Sequence, residues 1–160
     1  MSNQPSRLQQ ELKQNRPFRS LGQEATVAML RTTDLLRRRM GAVLETEDVT
    51  LQQYNVLRIL RGAGPEGLPT LEIADRMIEQ TPGITRLLDR LEAKRLVSRE
   101  RCPTDRRQVT CRISRDGLAL LGRLDPTVDH ADDTLLGPLT QAELRQLIRL
   151  LDRIREGTAS

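Results

Sequence analysis

Apolar residues recur at helical spacing along most of this chain and switch only once to strict alternation. From Leu21 to about Glu45, the residues Ala25, Ala28, Leu35, Leu36, Met40, Val43 and Leu44 fall near one face, which predicts a long amphipathic helix. The stretch before it, up to Arg19, is polar and carries Pro5 and Pro17, and reads as a flexible arm over residues 1–20. Thr50 followed by Gln53 is the pattern of a capping box, in which each side chain satisfies the other's backbone amide. It opens a second helix with Leu51, Tyr54, Leu57, Ile59 and Leu60 on one side, ending at Gly62. Thr70 is placed to cap a short third helix through about Ile78. After a break at Glu79-Gln80, Thr81 is an N-cap candidate and Pro82 stands at the first helical position, where its missing N–H costs nothing. The helix this predicts turns Ile84, Leu87, Leu88 and Leu91 inward and leaves Pro82, Arg86, Asp89, Arg90 and Ala93 on the opposite arc, with Thr85 at its edge.

The period then changes. Val109, Cys111 and Ile113 alternate with Gln108, Thr110 and Arg112, the signature of a half-buried strand. A partner strand at about Val97 to Cys102 and a turn at Pro103-Thr104-Asp105 complete a hairpin. Helical spacing returns with Leu121, Leu124, Val128, Ala131 and Leu135, with Pro126 a potential kink. Thr140 and Glu143 form a further capping box, opening a last helix with Leu144, Leu147, Ile148, Leu151 and Ile154 on one face.

This order resembles a helix-turn-helix followed by a wing, in which the second helix of the pair enters the DNA major groove. Thr81, Pro82, Thr85, Arg86 and Arg90 would then face DNA: arginine can bond guanine O6 and N7, threonine a thymine methyl or a phosphate, and free amides at a helix start favour phosphate. Charge supports the placement. The net charge of +4 is modest, but residues 86–115 hold ten basic side chains against four acidic ones, while residues 116–160 hold five against eight. With one Tyr, one Phe and no Trp, the chain lacks the aromatic platforms on which single-strand and RNA readers stack bases. Double-stranded DNA is the partner that fits.

The run Thr81-Pro-Gly-Ile-Thr-Arg-Leu-Leu-Asp-Arg-Leu-Glu-Ala-Lys-Arg-Leu-Val97, followed by Pro103-Thr-Asp-Arg-Arg107 and Ile113-Ser-Arg-Asp-Gly117, resembles the MarR family of winged helix-turn-helix regulators. The resemblance spans about Leu21 to Ile154 in element order. It implies a mainly α fold with a small β-wing, the winged helix-turn-helix at about 50–115, and dimerisation helices at about 21–45 and 115–156 within one domain over 21–160. It implies that Arg107 is the minor-groove arginine and that Asp105 supports the wing; Arg106, beside it at the hairpin tip, is read as the phosphate partner. It further implies a homodimer on a pseudo-palindromic operator, and a repressor released by a small-molecule effector, although no residue set marks an effector pocket. The apolar pattern points to the dimer independently, because three long amphipathic helices at the chain ends offer more apolar stripe than one DNA-binding module can cover.

Two other readings compete: a winged-helix architectural or interaction module without ligand control, and a redox-switched regulator. The second would act through Cys102, whose neighbours Arg99, Arg101, Arg106 and Arg107 favour a reactive thiolate. An unreactive thiol is the plainer reading, since no resolving partner is evident. Cys111 shares its strand face with Val109 and Ile113 and reads as core. In the expected register it sits opposite about Arg99, too far from Cys102 for a disulfide. Peroxide-sensing members of the family keep their reactive cysteine near the start of the first helix, and this chain has none there.

The remaining motifs carry less. Gly62-Ala-Gly64-Pro-Glu-Gly67 spells GxGxxG, but a helix precedes it and no βαβ unit surrounds it, so it reads as a loop rather than a nucleotide site. His130 among Asp129, Asp132 and Asp133 reads as a solvated helix face rather than a metal site. No nucleophile–base pair of recognisable spacing points to an enzyme, and no cofactor is expected. No apolar run has the length of a membrane span and the N-terminus lacks a signal-peptide core, which predicts a cytoplasmic protein.

Overall fold

The computed structural model describes residues 5–102, 105 and 108–157. Packing divides the chain into two compact units, Met1–Arg39 and Met40–Ser160, so the boundary falls inside the long helix. The first unit begins with a short helix, α1 (Arg7–Glu11), in the stretch expected to be an arm; Ser6 and Gln9 form a capping box that holds its start. The long helix α2 runs Leu21–Glu45, with Ser20 Oγ accepting the Gln23 amide at 3.1 Å. Within the first unit Leu21 and Leu30 are strongly exposed, and Leu35 and Leu36 more mildly so.

The second unit is organised around α3 (Leu51–Ala63), which buries Tyr54, Val56, Leu57 and Leu60 and packs against four neighbouring elements. Its expected capping box is present, with Thr50 Oγ1 accepting the Gln53 amide at 3.2 Å and Gln53 Oε1 accepting the Thr50 amide at 3.1 Å. The second of these bonds satisfies Gln53, whose side chain would otherwise be costly to bury. From α3 the chain passes through a loop to β1 (Leu68–Pro69), α4 (Thr70–Arg76), α5 (Ile84–Ala93), β2 (Val97–Arg101), β3 (Val109–Ile113), α6 (Arg115–Leu136) and α7 (Gln141–Glu156). α6 continues through Pro126 and buries Leu120, Leu121, Leu124 and Val128. Arg61 on α3 grips Asp125 on α6 with two bonds of 2.7 and 3.1 Å. The Thr140–Glu143 box starts α7 as expected.

The three strands form one antiparallel sheet in the order β1-β3-β2. Arg99 pairs with Cys111, the register expected from the alternation, and Val97 pairs with Ile113. β1 was not expected: Leu68 pairs with Cys111 and Pro69 with Thr110, adding a third strand directly after the stretch that reads as a loop. Gly67 makes this approach possible. It sits at φ 70°, and a Cβ there would lie 2.2 Å from the Cys111 carbonyl oxygen. Proline is tolerated in β1 because the strand is at the sheet edge.

The helix-turn-helix differs from expectation at both inner ends. α4 stops at Arg76 rather than Ile78, because Met77 turns extended (ψ 138°) and the Ile78 amide donates to Asn55 Oδ1 at 2.8 Å instead of continuing the helix. Thr70 is the first residue of α4, not its cap, and its hydroxyl lies 3.5 Å from the Val109 carbonyl oxygen on β3. α5 begins at Ile84, not Thr81. Gly83 holds the N-cap position in the left-handed region (φ 93°), which a helix entered at Pro82 could not contain, and the Thr81 hydroxyl donates to the Glu79 carbonyl at 3.0 Å. The turn is therefore residues 77–83, longer than the expected break at Glu79-Gln80.

Candidate nucleic-acid interface

The core fixes one side of α5 and thereby aims the other. Leu87, Leu88 and Leu91 are buried, with Leu88 and Leu91 fully so, and Ile84 packs against the same cluster. Burying a leucine of this kind contributes roughly 1.5–3 kcal/mol, enough to hold a ten-residue helix in one rotation about its axis. Thr85, Arg86, Asp89, Arg90 and Ala93 are consequently exposed. Arg86 and Arg90 have no carboxylate partner among the described residues. The start of α5 has no side-chain cap at Gly83, so its first amides face outward unsatisfied by a capping side chain.

The basic character of residues 86–115 separates into two groups. Arg99 is pinned on α5 by Asp89 and Glu92, with Nη2 2.6 Å from Asp89 Oδ1 and 2.6 Å from Glu92 Oε2. Lys94 is held by Asp48, 2.8 Å from its carboxylate. Arg112 donates to Glu100 at 2.7 Å and to the Pro65 carbonyl at 3.1 Å. These three are structural. Arg86, Arg90 and Arg101 remain exposed.

Of the residues singled out from sequence, Thr85, Arg86 and Arg90 share the outward side of α5. Pro82 is exposed in the turn before it, while Thr81 is half-buried. Asp105 is exposed, with its carbonyl accepting the Gln108 amide at 3.0 Å, and the Cys102 amide donates to the Gln108 carbonyl at 2.9 Å, extending the hairpin beyond Arg101. Arg106 and Arg107 lie outside the described residues. Cys102 is half-buried and Cys111 fully buried, and both are thiols. Burial pushes the Cys111 thiol above its ordinary value.

Sequence reasoning missed three features beside this surface. Ile78 and Leu71 are large apolar side chains left 85% and 78% exposed in the helix-turn-helix, more than any core-facing pattern would allow. Asn55 holds the backbone at Ile78 in place, a contact 23 residues away in sequence that no local pattern announces. In addition, an open groove of about 840 Å3, lined by Gly41, Glu45, Val49, Leu51, Arg90 and Ala93 among others, borders the C-terminal half of α5.

Comparison with known proteins agrees with this geometry. The MarR family model matches residues 49–109, which span α3 to the start of β3. The HTH-type transcriptional regulator MhqR of Bacillus subtilis (strain 168) is 32% identical over 104 residues, covering 64% of this chain and 69% of that protein. The homoprotocatechuate degradative operon repressor of Escherichia coli is 25% identical over 127 residues, 79% of this chain and 84% of the relative. Among solved structures, a MarR transcription factor from Planctomyces limnophilus is 42% identical, with a TM-score of 0.67 over 84% of this chain and 98% of that one. A winged helix-turn-helix with an outward basic helix, together with these relatives, makes the chain a member of the MarR family of DNA-binding transcriptional regulators.

Proposed function

We propose that this chain is a homodimeric repressor that binds a pseudo-palindromic operator in double-stranded DNA and is released by a small-molecule effector. The observation that carries the reading is α5 itself: three leucines lock its inner side, and the outer side presents Thr85, Arg86 and Arg90, two of them arginines without an ion-pair partner among the described residues. In this reading Arg86 and Arg90 reach base edges in the major groove, Thr85 meets a thymine methyl or phosphate, and Thr81 and Pro82 flank the entry. Arg107 enters the minor groove, Arg106 meets phosphate, and Asp105 supports the wing.

The dimer is supported by α7, which has no buried residue yet leaves Leu147, Ile148, Leu150 and Ile154 exposed on an amphipathic helix. Apolar surface of that kind marks a contact with a second chain. With α2 and α6, it would set two recognition helices about 34 Å apart, one turn of DNA. Repression is supported by the E. coli relative, which is named an operon repressor. Effector control is supported by the groove beside α5, whose volume of about 840 Å3 suits a small molecule.

Selection of bound sequences from a random DNA pool tests the whole reading. A palindrome with half-sites one turn apart is expected, and no enrichment at low salt overturns it. Sedimentation of the free protein as a monomer at micromolar concentration would overturn the dimer.

A further inference from the structure

A helix that lies against phosphate-lined DNA is repelled through the carboxylates it exposes, yet α5 carries two. At 100° per residue, Asp89 falls on the same arc as Arg86 and Arg90, and Glu92 lies farther round the helix. An aspartate so placed either accepts a bond from a cytosine amino group or has to be kept from repelling the backbone. The geometry bears on the choice. Arg99 stands at the middle of β2, opposite Cys111, with only 22% of its side chain exposed. Its Nη2 is within 2.6 Å of both Asp89 Oδ1 and Glu92 Oε2, and its Nε donates to that same Glu92 oxygen at 2.9 Å. One guanidinium thus ties down both acids of the recognition helix, drawing them toward the root of the wing.

We propose that Arg99 is a positioning residue for DNA binding, drawing in Asp89 and Glu92 and offsetting part of their charge, so that the outer side of α5 presents Arg86 and Arg90 to DNA with less opposing charge. Asp89 is on this account a structural acid and not a base reader. Arg99 itself takes no part in phosphate contact, although its place in the basic stretch suggests that it would. The inference rests on α5 being the DNA-reading helix.

Charge removal separates masking from a merely structural brace. Arg99→Ala is expected to weaken operator binding about tenfold by leaving two uncompensated carboxylates beside the DNA, and adding Asp89→Asn and Glu92→Gln in that background is expected to restore most of it. A brace predicts the opposite, since the carboxamides cannot rebuild the missing ion pairs. Arg99→Gln, which can still donate to one carboxylate, serves if the alanine variant melts below the assay temperature. Asp89→Asn alone should leave the preferred operator sequence unchanged. Unaltered affinity in Arg99→Ala, a loss that the carboxamides do not relieve, or a changed base preference in Asp89→Asn would each overturn the masking role. Arg86→Ala is measured alongside. Full operator binding by that variant would remove α5 from the interface altogether, whereas its loss together with unrelieved Arg99→Ala would overturn the mask alone.

Discussion

Helices α5 and α7 are both amphipathic, and they resolve their apolar faces in opposite ways. α5 spends its leucines inside its own chain: Leu87, Leu88 and Leu91 join the core, and what remains outside is mostly polar and charged. α7 spends nothing. All its large apolar residues stay partly or fully exposed, with Ile148 at 57% and Ile154 at 49%. On the proposed function the same sequence period serves two kinds of recognition: in α5 the apolar side is an anchor and the polar side the reader, while in α7 the apolar side is itself the contact surface for a second copy.

Four measurements can break or sharpen this contrast. Truncating the anchor should have the largest effect: Leu88→Ala is expected to lower stability by ~2–5 kcal/mol in chemical denaturation, since the residue is fully buried and such a cavity is closed only in part by its neighbours. A change under about 1 kcal/mol would show that α5 is not held by its leucines. On α7, Ile148→Glu with Ile154→Glu is expected to weaken self-association by about 2 kcal/mol or more in sedimentation equilibrium while leaving the far-ultraviolet spectrum intact. Unchanged association would move the dimer contact elsewhere. For the reader side, Arg86→Ala should cost ~1–3 kcal/mol at one operator position and relax its base preference, whereas Arg107→Ala should weaken all sequences alike. Identical profiles for the two variants would undo that division.

The smallest effect concerns pH. Burial holds the Cys111 thiol above its ordinary value of 9.0, so the folded chain keeps a proton that the unfolded chain has released. The stability this contributes is fully present below about pH 9 and is lost as pH rises through the raised value. Burial raises Tyr54 in the same direction and adds its own slope. Denaturation between about pH 8 and 10.5 should therefore show a shallower loss for Cys111→Val than for the parent chain. Equal slopes would mean that the thiol is hydrated.

What could be read in the sequence followed from how local each signal is. The capping boxes at Thr50 and Thr140 close within one turn and were legible. So was the pairing of Arg99 with Cys111, because alternation fixes which strand face is buried and a one-residue slip would expose it. Thr81-Pro82 misled because it has the chemistry of a helix start, but the left-handed Gly83 delays the helix to Ile84. The clamp of Arg99 on Asp89 and Glu92 was not legible at all: it joins a strand to a helix, and the arginine looks like any other in a basic stretch. The same limit applies to Asn55 and Ile78, whose bond depends on how α3 and the turn meet.

The two-residue strand β1 alters how the wing can transmit force. With Leu68 and Pro69 on one side of β3 and Val97–Arg101 on the other, the inner strand of the wing is paired along both of its sides, and Thr70 at the start of α4 is the residue next to β1. A hairpin paired only with itself would flex at its root; this one is built into the foundation of the helix-turn-helix. β3 is therefore tied directly to the first turn of α4, which follows β1 with no residue between them.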